Sequence, residues 1–129
     1  MRLLVSIFIV CAVAYADTVD SLESVISTLN GKAKYEKSIE LAGILTGEND
    51  SLAFVYLNDA ISFAQESNEP KVLMKARFVK GNIFFNRGEF KTAGEEYKNS
   101  LILAEKNNDT EYLYENCKQM GGVFYSLSD

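Results

Sequence analysis

The chain has 129 residues, and its 13 Lys and Arg against 18 Asp and Glu give a formal net charge of −5. Nucleic acid is disfavoured as a partner, because binding to phosphates needs a basic face and none of the charge runs is basic. The chain has no histidine and two cysteines. The commonest general base and the usual nitrogen ligand of metals are therefore missing.

The first 16 residues have the features of a secretory signal peptide. Met1-Arg2 gives a charged start, residues 3–13 form an apolar run, and Ala14 and Ala16 are small residues at the two positions that signal peptidase reads. The alternative is a membrane anchor, but the apolar run is well short of the roughly 20 residues that cross a bilayer. We therefore expect cleavage before Asp17 and a periplasmic or secreted protein.

Cleavage changes the charge and the cysteine count of the mature chain. Removal of Arg2 leaves 12 basic and 18 acidic residues, a net charge of −6 over residues 17–129. Cys11 leaves with the signal, so Cys117 stands alone and no internal disulfide can form. Stability must then come from the core, and a chain of this length buries roughly 60–70 % of its unfolded surface in one domain.

Apolar residues recur with the period of an α-helix along the mature chain, which predicts six helices. These cover about residues 17–31, 33–46, 51–66, 70–86, 90–106 and 110–125. Gly47 is expected to take a left-handed cap conformation, and Asp50 and Thr110 to cap the helices that follow them. Pro70 suits the first turn of a helix but not its interior. With no strand signal and no long linker, the sequence predicts one all-α unit.

One segment repeats at a fixed offset of 40 residues. The pattern Leu57-x-x-Ala60-Ile61-x-x-Ala64-x-x-x-Asn68-Glu69 matches Tyr97-x-x-Ser100-Leu101-x-x-Ala104-x-x-x-Asn108-Asp109 in residue type, and the same shift places Gly81 and Phe84 on Gly121 and Phe124. A period of this size indicates stacked helix pairs. Repeat arrays of this kind usually present a binding surface.

The fourth and fifth predicted helices resemble the tetratricopeptide repeat. The matching pattern is Gly81-x-x-Phe84-x-x-x-Gly88-x-Phe90-x-x-Ala93-x-x-x-Tyr97-x-x-Ser100. Small residues let two antiparallel helices approach closely, and aromatic residues fill the volume beside them. The resemblance implies a right-handed solenoid of about six antiparallel helices, with repeats at 32–69 and 70–109 and an incomplete repeat at 110–129. It gives Gly121 and Phe124 the packing roles of Gly81 and Phe84.

The lengthened period has a resemblance of its own. It exceeds the usual ~34 residues of a tetratricopeptide repeat because the second helix is longer. This is similar to the exported arrays of bacterial membrane-bound signalling proteins, including sensor histidine kinases. Two functions follow as expectations. The chain is either a free-standing exported module for protein or peptide contact, or the amino-terminal sensor part of a longer signalling protein. In the second case the longer protein would be anchored in a membrane.

The resemblance also implies which residues line a groove, since the first helix of each pair faces inward in this family. These are Lys75, Phe78, Val79, Asn82, Phe85, Asn86, Lys118, Gln119, Gly122 and Tyr125. Asparagine and lysine can hold a peptide backbone or a carboxylate, and aromatic rings offer apolar shelves. The alternative is that they are ordinary solvated residues with two aromatics half packed.

The last repeat has a first helix without a second one. The shift places Asp129 on Glu89, so the face of Leu113, Cys117, Met120 and Phe124 is expected to lack a covering helix. Either the protein continues beyond this point, or the open face pairs with another copy or a partner. Cys117 is expected to be a core residue, because it stands where this family has a large residue between helices.

Catalysis has little support in the sequence. Glu95-Glu96 is an adjacent carboxylate pair, but neighbours on a helix point about 100° apart, which favours a solvated face. Gly121-Gly122 lacks the preceding strand and the following lysine of a phosphate loop, and helix contact explains it better. We therefore expect a protein that is not an enzyme and needs no cofactor or metal.

Overall fold

The computed structural model describes residues 1–128, and these form six α-helices without a strand. The helices are α1 (Arg2–Thr28), α2 (Gly31–Leu45), α3 (Asp50–Glu66), α4 (Pro70–Asn86), α5 (Phe90–Lys106) and α6 (Thr110–Leu127). The predicted all-α class is confirmed, and the predicted bounds of α2 to α6 agree with the structure to within about two residues. Residue 129, which the predicted third repeat includes, lies outside the described residues.

The four turns between α2 and α6 are built in the same way. Each has one residue in the left-handed region: Gly47, Asn68, Gly88 and Asn108, with φ of 87°, 51°, 76° and 52°. In the last three turns the following amide donates to the carbonyl five residues back, as in the 2.9 Å bond from Glu89 N to Phe84 O. This capping pattern stops a helix within two residues, so the chain can reverse direction sharply.

Two predicted helix caps are wrong by one residue. The side chain of Asn49, not that of Asp50, accepts the amide of Leu52 at 3.2 Å. The side chain of Asp109, not that of Thr110, accepts the amide of Tyr112 at 3.0 Å. In both cases the capping oxygen stands three residues before the amide that it accepts, the separation that an N-cap needs.

Each helix packs on the next one along the chain, and α2 also contacts α4. Helices α4 and α5 are antiparallel: the rings of Phe85 and Phe90 meet near the turn with centroids 5.2 Å apart. At the far end Ser100 Oγ donates to the carbonyl oxygen of Met74 at 2.9 Å. One buried cluster is shared by α1 to α4, and a second cluster of Ala93, Tyr97 and Val123 joins α4, α5 and α6.

Helix α1 runs without a break through the predicted cleavage point. Residues 2–14 are exposed, whereas Val19, Leu22 and Ile26 pack against the first core cluster. Among the described residues, α1 is the one helix long and apolar enough to span a membrane by length and composition, a test that signal sequences near an N-terminus also pass. Most α1 residues that join the core therefore follow the predicted signal peptide, and Tyr15 within it packs against the same cluster.

Candidate functional site

A groove lies between α2, α4 and α6, which we call the α2/α4/α6 groove. It holds two adjoining cavities of about 370 and 440 Å³ that share Gly43. The first cavity, here the carboxamide cavity, is lined by Gly43, Thr46, Asn82, Phe85, Asn86, Tyr97 and Gln119. The second, here the charged cavity, is lined by Glu36, Lys37, Ile39, Glu40, Gly43, Lys75, Val79 and Tyr112.

A core residue fixes the side chain of Asn82 in the carboxamide cavity. The Tyr97 hydroxyl donates to Asn82 Oδ1 at 2.7 Å, and Tyr97 itself is buried between α4 and α5. A tyrosine is already a protonated donor at physiological pH, and burial raises the pKa of the Tyr97 phenol further. Since Oδ1 accepts this hydrogen bond, the N–H donors of the Asn82 carboxamide are left available for other partners.

Phe85 is the aromatic surface of the same cavity. Its ring packs edge-on against Phe90, and a Cβ added to Gly122 would lie 3.5 Å from it. A glycine at this point of α6 therefore lets the last helix come close to the Phe85 ring. The ring is held from two sides and offers a fixed apolar contact beside the carboxamides.

The charges of the charged cavity are largely paired with one another. Lys75 Nζ lies 3.9 Å from Glu36 Oε1, and Lys37 Nζ lies 2.7 Å from Glu40 Oε2. Burial raises the pKa of Tyr112, with smaller contributions from Glu111, Asp109 and Glu115, so the phenol is a donor here as well. The cavity offers donors and acceptors with little net charge.

Six of the ten predicted groove residues line the two cavities, and four do not: Phe78, Lys118, Gly122 and Tyr125. Lys75, Val79, Asn82, Phe85, Asn86 and Gln119 line them. The prediction is wrong for Phe78, whose ring packs 5.7 Å from Tyr97 and 5.5 Å from Tyr112 in the helix interface. Lys118 is exposed and pairs with Glu115 at 2.7 Å, and Tyr125 is 76 % exposed. The helical turn of α6 directs these two side chains away from the groove.

Residues of α2 were missed because its repeat pattern is weak. Shifting Val79 and Asn86 back by 40 residues gives Ile39 and Thr46, and both line the groove. The repeat shift therefore contained the signal. Gly43 had no such signal, since the shift places it on Ile83, a fully buried residue.

The predicted packing residues are mostly buried between α4 and α5 but exposed on α6. Gly81, Ala93, Tyr97 and Ser100 are buried between α4 and α5, with Phe84 and Phe90 partly buried beside them. Gly88 is exposed, and its φ of 76° makes it a turn residue with no part in packing. At the other end Gly121 and Phe124 are exposed, and so is Cys117, so its prediction as a core residue is wrong. No described helix covers this side of α6.

A buried polar chain that the sequence did not reveal links the last three helices. Asn116 Nδ2 donates to Ser100 Oγ at 2.9 Å and to the Tyr112 carbonyl oxygen at 2.8 Å, and Ser100 in turn donates to Met74. Asn116 Oδ1 is buried without a partner among the described residues. The 40-residue shift places Asn116 on Ala76, which is apolar, so the repeat predicted no polar group here.

Comparison with known proteins adds no relative: no protein-family model, curated protein or solved structure matches the chain.

Proposed function

We propose that this protein is an exported, non-catalytic interaction module whose helices form a tetratricopeptide-like right-handed array, and that the α2/α4/α6 groove holds a peptide or an extended segment of another protein. The arrangement of α4 and α5 supports the array. Tyr97 lies against Gly81 so closely that an added Cβ would come within 2.7 Å of the ring. This is the small-against-aromatic contact that the repeat pattern requires.

The carboxamide cavity is the observation that carries the proposed ligand. Asn82, Asn86 and Gln119 line it together with the Phe85 ring and Thr46. A carboxamide both donates and accepts, so it can pair with either half of a peptide unit, while the ring takes an apolar side chain. Carboxamides and a hydroxyl carry no charge, so this cavity favours neutral polypeptide over phosphate or nucleic acid.

The charged cavity extends the proposed binding surface along the groove. The Lys75–Glu36 pair lies beside Ile39 and Val79, with side chains 36 % and 40 % exposed. An exposed pair of this kind contributes little to stability, which leaves either partner able to exchange its contact for a charged group on a ligand. A peptide that spans both cavities would carry a polar or charged residue at one end and an apolar one near Phe85.

The export part of the proposal depends on α1. Residues 2–14 are exposed and apolar apart from Arg2 and Ser6, and no other described helix packs over them. Such a surface is unfavourable in water and is expected to be removed or buried in a membrane. We propose removal by signal peptidase before Asp17. Mass analysis of the chain exported from a bacterial host tests this, and a product that retains residues 1–16 would contradict it.

Peptide selection tests the binding function directly. Residues 17–129 are used to select from a displayed library of random twelve-residue peptides, and the affinity of each selected peptide is measured for variants. Gln119→Ala and Asn86→Ala should weaken groove ligands about tenfold each, the effect of losing a hydrogen bond to a partner. Asn99→Ala, an exposed position on α5 outside the groove, is the matched control. Peptides that bind Gln119→Ala and Asn86→Ala as tightly as the parent would exclude this groove as the site.

A further inference from the structure

A second groove lies between α5 and α6, on the face of α6 that no described helix covers. We call it the α5/α6 groove. It has a volume of about 370 Å³ and is lined by Lys91, Gly94, Glu95, Lys98, Met120, Val123, Phe124 and Leu127. Phe124 is 65 % exposed, and Leu127 is 46 % exposed. Large side chains left open beside an apolar groove mark a contact surface.

The equivalent face of α4, one repeat earlier in the chain, is covered by a helix. The 40-residue shift places α4 on α6, and α5 is the helix that covers α4. On α4, Tyr97 fills the space above Gly81. On α6, the equivalent Gly121 has no heavy atom within 4 Å of an added Cβ. At Gly121, next to the groove lining on α6, the helix therefore presents the same seat for an aromatic side chain, and no described helix fills it.

The neighbouring position on α5 enlarges the same space. The shift places Gly94 on Phe54, whose ring packs 5.3 Å from that of Phe84. Gly94 has no side chain, so among the described residues α5 places no ring at this position beside Phe124, the equivalent of Phe84. Val123 Cγ1 would lie 3.3 Å from a Cβ added to Gly94, and the α5/α6 groove lies beyond it, beside Phe124. An occupant of the groove therefore has to supply the apolar group that Phe54 supplies beside Phe84.

The charge pattern of the occupant also follows from the repeat. On the covered face, Arg77 Nη1 pairs with Glu96 Oε2 at 3.2 Å, and both side chains are largely buried. Cys117 takes the place of Arg77 on α6. A covering helix with an acid at the position of Glu96 would bury an unpaired carboxylate, so a neutral residue is favoured there.

We propose that the α5/α6 groove docks an amphipathic helix of a partner protein, antiparallel to α6. This helix carries a tyrosine between two small residues at the spacing Ala93-x-x-x-Tyr97-x-x-Ser100, and a neutral residue directly before the tyrosine. A second copy of the chain does not offer this pattern, because Ala93, Tyr97 and Ser100 are fully buried in each copy.

The chain itself supplies a probe for the experiment. A peptide of residues 89–107 with Glu96→Gln is labelled and held helical by a staple between positions 95 and 99, both of which are exposed on α5. Anisotropy titration against residues 17–129 measures the affinity. We expect saturable binding, about tenfold weaker when the peptide carries Tyr97→Ala, and several-fold weaker when Glu96 is restored, since an unpaired buried acid costs free energy.

Variants of the protein identify the surface. Gly121→Leu fills the proposed seat of the tyrosine at a position that contacts nothing in the fold, so it should abolish peptide binding and leave the protein folded. Gln119→Ala, in the α2/α4/α6 groove, should leave the affinity unchanged, which separates this proposal from the peptide-binding proposal.

Three outcomes would overturn the proposal. One is the absence of saturable binding, and another is equal affinity for Gly121→Leu and the parent. The third is a dimer of residues 17–129 in sedimentation that Gly121→Leu dissociates, since a second copy would then occupy the groove.

Discussion

The hydroxyl of Tyr97 on α5 donates a 2.7 Å hydrogen bond to Oδ1 of Asn82 on α4. Tyr97 is fully buried, whereas Asn82 lines the carboxamide cavity. One bond therefore connects the packing of the repeat to the surface proposed for binding. A variant of Asn82 is therefore expected to change stability as well as binding. Variants of Gln119 and Asn86 test binding in the groove more directly.

Tyr97→Phe is expected to lower the free energy of unfolding by about 1 kcal/mol, because it deletes the donor and leaves the carboxamide oxygen without that partner. Urea unfolding followed by circular dichroism measures the change. Tyr125→Phe is the matched control, since Tyr125 is mostly exposed and its loss of a hydroxyl should leave the midpoint unchanged. Equal midpoints for Tyr97→Phe and the parent would show that the bond does not contribute.

The same hydroxyl predicts a loss of stability in alkali. Burial raises the pKa of Tyr97 above that of an unfolded tyrosine, so the native state keeps a proton that the unfolded state loses. Stability should be constant below the unfolded pKa of about 10 and fall as the pH rises above it. Tyr56 and Tyr112 have pKa values raised in the same direction and add to this fall.

Urea midpoints of the parent and of Tyr97→Phe are compared at several pH values from about 8 to 11, a range that spans the unfolded pKa of tyrosine. The comparison separates the contribution of Tyr97 from those of the other two tyrosines. The variant should lose less stability than the parent between the ends of this range. Parallel curves for the two proteins would contradict the assignment to Tyr97.

Two glycines at equivalent places of the repeat should respond oppositely to the same change. Gly81→Ala brings a Cβ within 2.7 Å of the Tyr97 ring, which is pinned by its hydrogen bond, so we expect a net loss of about 1–2 kcal/mol. Gly121→Ala meets no atom within 4 Å and should stabilise the helix by about 0.5–1 kcal/mol. Thermal and urea unfolding of the two variants test this, and a loss of stability in Gly121→Ala would mean that its face is covered in solution.

Local signals predicted the helices well, and long-range contacts explain where prediction failed. The predicted helix bounds leave Gly47, Asn68, Gly88 and Asn108 between helices, and each takes the left-handed conformation that glycine and asparagine adopt most easily. The exposure of Cys117 depends instead on whether a further helix covers α6, and no described helix does, which a residue type cannot reveal. The groove was predicted on α4, where the repeat pattern is strong, and missed on α2, where Leu41 and Ile44 replace its marker residues.

Lys118 and Tyr125 illustrate a second limit of the sequence. The repeat assigns both to the inner side of α6, but the helix turns them to solvent, with Lys118 held by Glu115. The register of a terminal helix is set by contacts on both of its sides, and α6 has described contacts on one side. Position in a repeat is therefore a weaker guide at the end of an array than inside it.

The polar chain of Ser100 and Asn116 gives the last prediction, a double-mutant cycle. Ser100→Ala removes both the donor to the Met74 carbonyl and the acceptor of Asn116, which should cost about 1–3 kcal/mol. Asn116→Ala should cost less, because it also removes a buried Oδ1 that has no partner among the described residues.

The double variant should be no less stable than Ser100→Ala alone, since each substitution removes the other's partner, and the coupling should be about 1 kcal/mol. Urea unfolding of the four proteins measures it. Ser51→Ala, at an exposed position of α3, is the control, because it tests whether loss of a serine hydroxyl matters in itself. Additive changes in the cycle would mean that the two side chains act independently and that the 2.9 Å bond between them has no net value.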